Sequence, residues 1–262
     1  MIDYIIYIPT FQRYEVLFKT TLKMLDDKGV DPTKIILFMK DKEEYEKYEK
    51  QSTDLYLYEV VYNDCNNIQD VRNFLREYAH KNKVKYVVQM DDDISDIIDM
   101  GKSVIDLDEL IQDCFLTALD NNVKYWGVTP YTNPFFLKES VSKNLLYICG
   151  AFNGLILEPD DPMIKTEVGH FEDFYFSICH FLRDNGTIRF NNLGIKTKLF
   201  GDGGICGSLG GKKNRMKEME ENALTMMTIF GTDIVSITIN KWGVGLKLNS
   251  HYKLTNGRPI HW

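Results

Sequence analysis

Four apolar runs alternate with helical stretches before residue 91, and this rhythm constrains the fold more than any other feature of the chain. The runs lie at residues 4–8, 34–39, 55–61 and 84–90, and the stretches between them at 15–28, 42–50 and 68–80. The first run, Tyr4-Ile5-Ile6-Tyr7-Ile8, is stopped by Pro9. The first helical stretch carries Val16, Leu17, Leu22, Met24 and Leu25 and ends at Gly29. In the third stretch Ile68, Val71, Phe74, Leu75 and Tyr78 fall on one face at helical spacing. Consecutive strand-helix-strand units cross over right-handedly, so the spacing predicts a mostly parallel, Rossmann-like α/β sheet flanked by helices. Beyond Asp93 the pattern loosens into mixed α/β. Helices are expected at 107–121, 172–184 and 212–230, and strands at 124–129, 145–157 and 187–200, the last with a turn at 191–194. No Pro/Ser linker or repeat divides the chain, so one domain is expected over residues 1–235, with 236–262 as an extension packed on it.

The 262 residues are enough for a substantial core, and 44% hydrophobic with 26% charged residues excludes wholesale disorder. A formal net charge of −7 excludes a global basic field of the kind that drives nonspecific nucleic-acid binding, leaving only local basic patches. The longest apolar stretches are too short or too interrupted to cross a bilayer, and the N-terminus carries no basic segment before an apolar run. Five scattered cysteines without C-x-x-C spacing read as free thiols in a reducing cytoplasm. Oligomeric state is not legible.

The motif with chemical content is Asp91-Asp92-Asp93, placed directly after the apolar run that ends at Met90. Open α/β sheets bind ligands at the carboxyl ends of their strands. In an extended segment Asp91 and Asp93 project to the same side, where they suit a hard divalent cation shared with phosphate oxygens. A solvated acidic turn capping a helix is the alternative. Arg13 and Arg72 stand beside strand ends, where a guanidinium pairs with phosphate or carboxylate, or makes a surface salt bridge. Phe11 stacks on a base or fills core.

With Ile8-Pro9-Thr10-Phe11-Gln12-Arg13, Asn67-Ile68-Gln69-Asp70-Val71-Arg72-Asn73, Asp91-Asp92-Asp93 and Gly169-His170-Phe171-Glu172-Asp173-Phe174 in this order, the chain resembles the GT-A glycosyltransferases over about residues 3–200. The resemblance implies transfer of a sugar from a nucleoside diphosphate sugar, such as a UDP-sugar, to a hydroxyl. It implies that Pro9, Thr10, Phe11, Arg13, Arg72 and Asp92 bind the nucleotide, and that Asp91 and Asp93 hold Mn²⁺ or Mg²⁺ on the diphosphate. It further implies that Glu172 and Asp173 face the acceptor, with Asp173 as general base. Acids at a helix start also serve as dipole partners, which is the other reading of this pair. His170, His251 and His261 are candidates for a third metal ligand, each with a structural role as the alternative.

Residues 201–211 hold six glycines in eleven, a composition suited to a mobile loop with close backbone approach to a ligand. Lys212, Lys213, Arg215 and Lys217 follow, either closing on a diphosphate or starting a solvated helix. Through Asp91-Asp92-Asp93, Glu172-Asp173, Gly203-Gly204 and Arg215 the chain also resembles, more loosely, the TET-associated glycosyltransferases of phages. That resemblance implies hydroxymethylated pyrimidine in DNA as acceptor, with Lys212 and Arg215 as binding residues. A glycan or protein acceptor is the alternative. A metal-dependent nucleotidyltransferase shares the sheet and acidic site, but its glycine-rich loop after the first strand is replaced here by Pro9-Thr10-Phe11-Gln12-Arg13. A binding module that has lost turnover is the non-enzyme reading.

Overall fold

The structure is a computed structural model that describes residues 1–197, 212–240 and 243–254, with backbone only at 212–215 and 240. Its centre is one mixed sheet of order β3-β2-β1-β4-β9-β7-β10-β5-β6. Strands β1 (Tyr4–Pro9), β2 (Ile35–Met39), β3 (Glu59–Tyr62) and β4 (Tyr86–Met90) pair in parallel, so their carboxyl ends share one edge. Strand β9 (Phe152–Ile156) lies antiparallel between β4 and β7 (Tyr125–Thr129). Residues 91 and 151 therefore meet at that same edge, joined by a 2.9 Å hydrogen bond from the Asp91 N–H to the Ala151 carbonyl. Strand β10 (Ile188–Thr197) is parallel to β7 and antiparallel to both β5 (Ile94–Asp99) and β8 (Val141–Ser142). A two-residue strand β6 (Lys102–Ser103) closes the far edge.

The expected mostly parallel α/β sheet flanked by helices is present, and most of the differences fall at its margins. Residues 14–27 form one helical course whose middle is widened. Helix α1 (Tyr14–Leu17) passes through a π turn (Phe18–Leu22) into α2 (Lys23–Asp27). The extra residue in such a turn shifts side chains around the axis, and here Thr20 and Thr21 meet the backbone after β4. Thr21 Oγ1 donates to the Asp91 carbonyl at 2.9 Å and accepts the Ile94 N–H at 2.8 Å. The strand expected at 55–61 begins only at Glu59. Ser52 caps a 3₁₀ turn (Thr53–Leu57) that buries Leu55 in the core outside the sheet, and among the described residues β3 pairs with β2 alone. The strand expected from 145 begins at Phe152, because residues 145–151 run beside a helix instead. Strand β10 has no turn at 191–194. Those residues bulge out of register with β7 between Phe190 and Gly194, and Asn191 bonds Ser140 and Ser142 while Asn192 bonds Asp99. Strands β5 and β6 were not expected.

Helices α3 (Lys42–Glu49), α4 (Ile68–Lys81), α5 (Leu107–Asp120) and α6 (Glu172–Asp184) flank the sheet. Asp41, Asn67 and Asp106 cap the first three by accepting the N–H groups of Glu44, Asp70 and Glu109. One apolar layer lies under α1, α2 and α5 and includes Leu17, Leu25, Phe115 and Trp126; the other lies under α4 and α6 and includes Val71, Leu75, Tyr175 and Ile178. Helix α7 (Lys212–Phe230) and the hairpin β11 (Val235–Asn240) with β12 (Gly243–Leu248) join the second layer through Met226, Phe230, Ile234 and Val235. No described helix is long and apolar enough to cross a membrane.

At the sheet centre the indole of Trp126 lies across Gly154, where a Cβ would sit 2.1–2.4 Å from ring atoms. The ring is also boxed by Phe115 and Phe152, at centroid distances of 5.3 and 5.6 Å. Overpacking of this kind has no flexible neighbour to absorb it. Gly154→Ala is expected to destabilise the protein by about 3 kcal/mol in urea unfolding, and a loss below about 1 kcal/mol would show that the ring can move.

Candidate functional site

The carboxyl edge of β1 to β4 gathers most of the residues singled out in the sequence. A cavity of about 120 Å³ opens there among Thr10, Phe11, Lys40, Asn63, Cys65 and Asn66, with Pro9 at its base. Lys40 Nζ stands 5.8 Å from the Phe11 ring centroid. Thr10 lines the cavity, but its hydroxyl turns inward, 2.6 Å from both the Tyr48 hydroxyl and Asp92 Oδ2. Tyr48 Oη also accepts the Arg13 N–H at 3.1 Å, so α3 braces the loop that leaves β1.

The three aspartates do not continue the extended strand. Residues 92 and 93 form a turn, and the expected common projection of Asp91 and Asp93 from an extended segment is replaced by three separate roles. Asp91 accepts from Arg72 Nη2 at 2.7 Å, its side chain one-third exposed. Asp92 is 5% exposed and accepts from Arg13 Nη1 at 2.6 Å as well as from Thr10. Asp93 Oδ2 lies 2.8 Å from the same Arg13 nitrogen. Burial pushes the Asp92 carboxyl up to about 6, against the pull of Arg13 and Thr10. Burial also raises Asp93, helped by the charge of Asp91 and opposed by Thr197 and Arg13.

Arg72 joins this cluster to the second pair of acids. Burial opposes its charge, but the nearby acids, Asp91 first, outweigh it and raise the hold of the guanidinium on its proton. Its Nη1 is buried with no hydrogen-bond partner, a donor left for a ligand oxygen. Helix α6 begins at Glu172, as the sequence predicts, with Phe171 before it in the left-handed region at φ 70°. Asp173 Oδ2 accepts from the Tyr147 hydroxyl at 2.5 Å, and Oδ1 accepts the Phe174 N–H at 2.9 Å. Ser177 fixes the neighbouring chain by donating to the Asp173 carbonyl and accepting the Ile148 N–H. A Cβ at Gly150 would stand 3.1 Å from the Asp173 Cβ, so the segment before β9 passes close against the start of α6. Burial, followed by the charge of Asp173, pushes Glu172 up to about 8. Burial raises Asp173 too, but the Tyr147 and Phe174 donors favour its charged form. Burial thus weighs most heavily on Glu172, while the donors gathered on Asp173 favour its charged form.

Five carboxylates meet two guanidinium groups here, an excess of acidic groups of the kind that a divalent cation offsets. Asp91 and Asp93 supply the hard oxygen donors such an ion takes, so the donor chemistry fits Mn²⁺ or Mg²⁺. Among the described residues no three His, Cys, Asp or Glu side chains converge as a complete ligand set, so the remaining ligands would come from a substrate. His170 is not brought to this cluster; its Nδ1 lies 3.6 Å from Glu218 and its N–H bonds Asn222, tying α7 to the approach to α6. His251 is exposed, with its N–H on Asn249. His261, the glycine-rich segment, and the side chains of Lys212, Lys213 and Arg215 lie outside the described residues. Sequence reasoning missed Tyr48, Thr21, Tyr147, Lys40 and Asn63. No local signal marks the first three, whereas Lys40 and Asn63 directly follow β2 and β3 and are found once those strands are placed.

This sheet, with β9 reversed among parallel strands and acids at its carboxyl edge, is the GT-A architecture. In fold the chain is similar to S. aureus TarS 1–349 in complex with UDP-GlcNAc, at a TM-score of 0.54 and 14% identity over 86% of this chain and 67% of that one. It is likewise similar to the mannosyltransferase PcManGT from Pyrobaculum calidifontis in complex with GDP-Man and Mn²⁺, at 0.58 and 11% over 86% and 64%. A further structure of TarS 1–349 gives 0.53 and 14%, and the chain spans 66% of its length. No family model matches, and no curated protein matches by sequence.

The Glu172 proton has a consequence for stability. An ordinary glutamate releases its proton near 4.5, whereas folded Glu172 keeps it to about 8. The unfolded chain thus binds fewer protons than the folded one between these values, and stability declines as pH rises through that window. Glu172→Gln is expected to flatten this decline and to raise Tm at pH 8 by about 2–4 °C, for a gain near 1 kcal/mol. An unchanged pH slope in thermal melts would show that Glu172 is ionised in the folded protein.

Proposed function

We propose that the protein is a metal-dependent glycosyltransferase that moves a sugar from a nucleoside diphosphate sugar, such as a UDP-sugar, to a hydroxyl acceptor. The observation that carries this reading is Arg72, which lies between Asp91 and the Glu172–Asp173 pair and keeps one buried N–H free. In this reading the cavity at Phe11, Lys40 and Asn63 takes the nucleotide, the Arg72 Nη1 donates to a donor oxygen, and Asp91 with Asp93 holds the cation. A cation there would neutralise the charge that builds on the leaving diphosphate. Asp173, charged and oriented by Tyr147, takes the proton of the acceptor hydroxyl, while protonated Glu172 donates a hydrogen bond and spares the site a second charge. Asp92, with Thr10 and Arg13, fixes the loop and meets the nucleotide only through them.

For the acceptor, the proposal is hydroxymethylated pyrimidine in DNA. Its support is the basic run Lys212, Lys213, Arg215 and Lys217 and the exposed rings of Tyr131, Phe135 and Phe136, which suit base stacking. Four described cysteines are free, in keeping with action in a reducing cytoplasm.

Incubation with Mn²⁺ and a panel of nucleotide sugars tests the donor half: one donor is expected to raise Tm in a metal-dependent way, and protection by none would end the reading. Asp91→Asn and Asp93→Asn are each expected to abolish that protection. Asp173→Asn should cut transfer by about 10²-fold or more while donor protection persists, and equal loss of both would make Asp173 structural. Replacing Lys212, Lys213 and Arg215 by Ala should flatten the salt dependence of DNA binding by a slope of about 0.7–0.9 for each phosphate no longer neutralised. Transfer to a glycan or protein, with none to hydroxymethylated DNA, rejects the DNA acceptor and leaves the transferase.

A further inference from the structure

Helices α4 and α6 meet a second time through Arg76 and His180, one turn beyond Arg72 on α4 and two turns beyond Asp173 on α6. Arg76 is 3% exposed, and its guanidinium lies 3.4 Å from the centroid of the Phe176 ring. Its Nη1 stands 3.0 Å from His180 Nε2, while Nε and Nη2 are buried with no hydrogen-bond partner. His180 supplies no charge of either sign, because burial holds its imidazole down to about 3 and therefore neutral. The other charged groups nearby are already closed into pairs. Arg183 forks onto both oxygens of Asp184 at 2.7 and 2.8 Å, Lys124 grips both oxygens of Asp161 at 2.6 Å, and Lys85 faces Glu158 at 2.9 Å. Among the described residues Arg76 is thus the cation of this cluster with no carboxylate of its own, and burial pushes it down to about 9.

Beside it lies a cavity of about 20 Å³ lined by Arg76, His80, Glu158, Asp161, His180 and Arg183, reaching the surface at exposed His80. That volume admits one water-sized sphere. A water would fill the space and leave the charge uncancelled, and a buried charge without a partner is strongly disfavoured. A tetrahedral oxyanion exceeds the volume, and Glu158 and Asp161 at the rim would repel a second negative charge.

We propose that this cavity is a binding site for one small monovalent anion of chloride size, which accepts the Nε and Nη2 hydrogens of Arg76 and completes the charge balance between α4 and α6. The site lies one helical turn behind the reacting groups, since Arg72 precedes Arg76 on α4 and Glu172–Asp173 begins the helix that carries Phe176 and His180. The anion takes no part in chemistry; it clamps the two helices whose other ends face each other across Arg72. This inference stands whether or not the protein is a glycosyltransferase.

The test is thermal melting of the whole chain in sodium gluconate at fixed ionic strength, titrated with chloride and, separately, with bromide. A saturable rise in Tm of about 2–4 °C with either halide is expected, and Arg76→Met should abolish the response. A wild-type Tm independent of halide overturns the proposal, as does an Arg76→Met variant that still responds. Should that variant not fold, crystals of the wild type soaked in millimolar bromide decide it. An anomalous peak beside Arg76 supports the site, and a refined water, or bromide binding at crystal concentration only, overturns it.

Discussion

The arrangement of this protein depends on how two guanidinium groups are divided among five carboxylates. Arg13 spans Asp92 and Asp93, and Arg72 spans Asp91 and the Glu172–Asp173 pair. Neither arginine can be spared, because each neutralises charge that the sheet edge has largely removed from water. Around them the backbone is shaped to keep the acids close. A π turn brings Thr20 and Thr21 onto the loop after β4, α3 offers Tyr48 as a strut, and α6 starts from a left-handed Phe171 that turns Glu172 and Asp173 inward. The excess of acids over arginines that remains at this edge is what the proposed cation would offset.

The two acidic clusters have different characters although their composition is similar. In the first, each aspartate has a cationic partner, and Asp91, one-third exposed, is the most accessible of the three. In the second, burial outweighs pairing and pushes Glu172 up to about 8, while Tyr147 donates to Asp173 and favours the charged form there. The two acidic clusters are thus separated by one arginine side chain, and in the proposed reaction the first would hold the cation and the second would take the proton.

How far the sequence revealed this depended on the range of the interactions involved. Helices α4 and α6 were legible to within a residue because their signals are local, an apolar face at helical spacing from Ile68 to Tyr78 in one and two acids before an apolar run in the other. The acids themselves were legible by type and by position after a buried strand. Their orientation was not, since the turn at 92–93 is imposed by Thr21, 70 residues away from Asp91 in the chain. Tyr147 reaches Asp173 across 26 residues and Tyr48 reaches Thr10 across 38, and nothing beside either tyrosine distinguishes it from a core residue. The irregular segment before β9 read as strand because its apolar residues are buried against α6 rather than against neighbouring strands.

The reversed insertion of β9 between β4 and β7 also fixes the order in which the edge can be assembled during synthesis. Once about 100 residues have emerged, β1 to β4 can pair and Arg13 can meet Asp92 and Asp93. The central gap of the sheet, however, stays open until residues 152–156 arrive, and Arg72 has only Asp91 until α6 follows. A nascent chain halted between those points would present β4 as an unpaired edge and a buried arginine half neutralised. The stretch from Asp91 to Glu172 is therefore the interval of translation in which this protein is most exposed to misassembly and most dependent on whatever shields it.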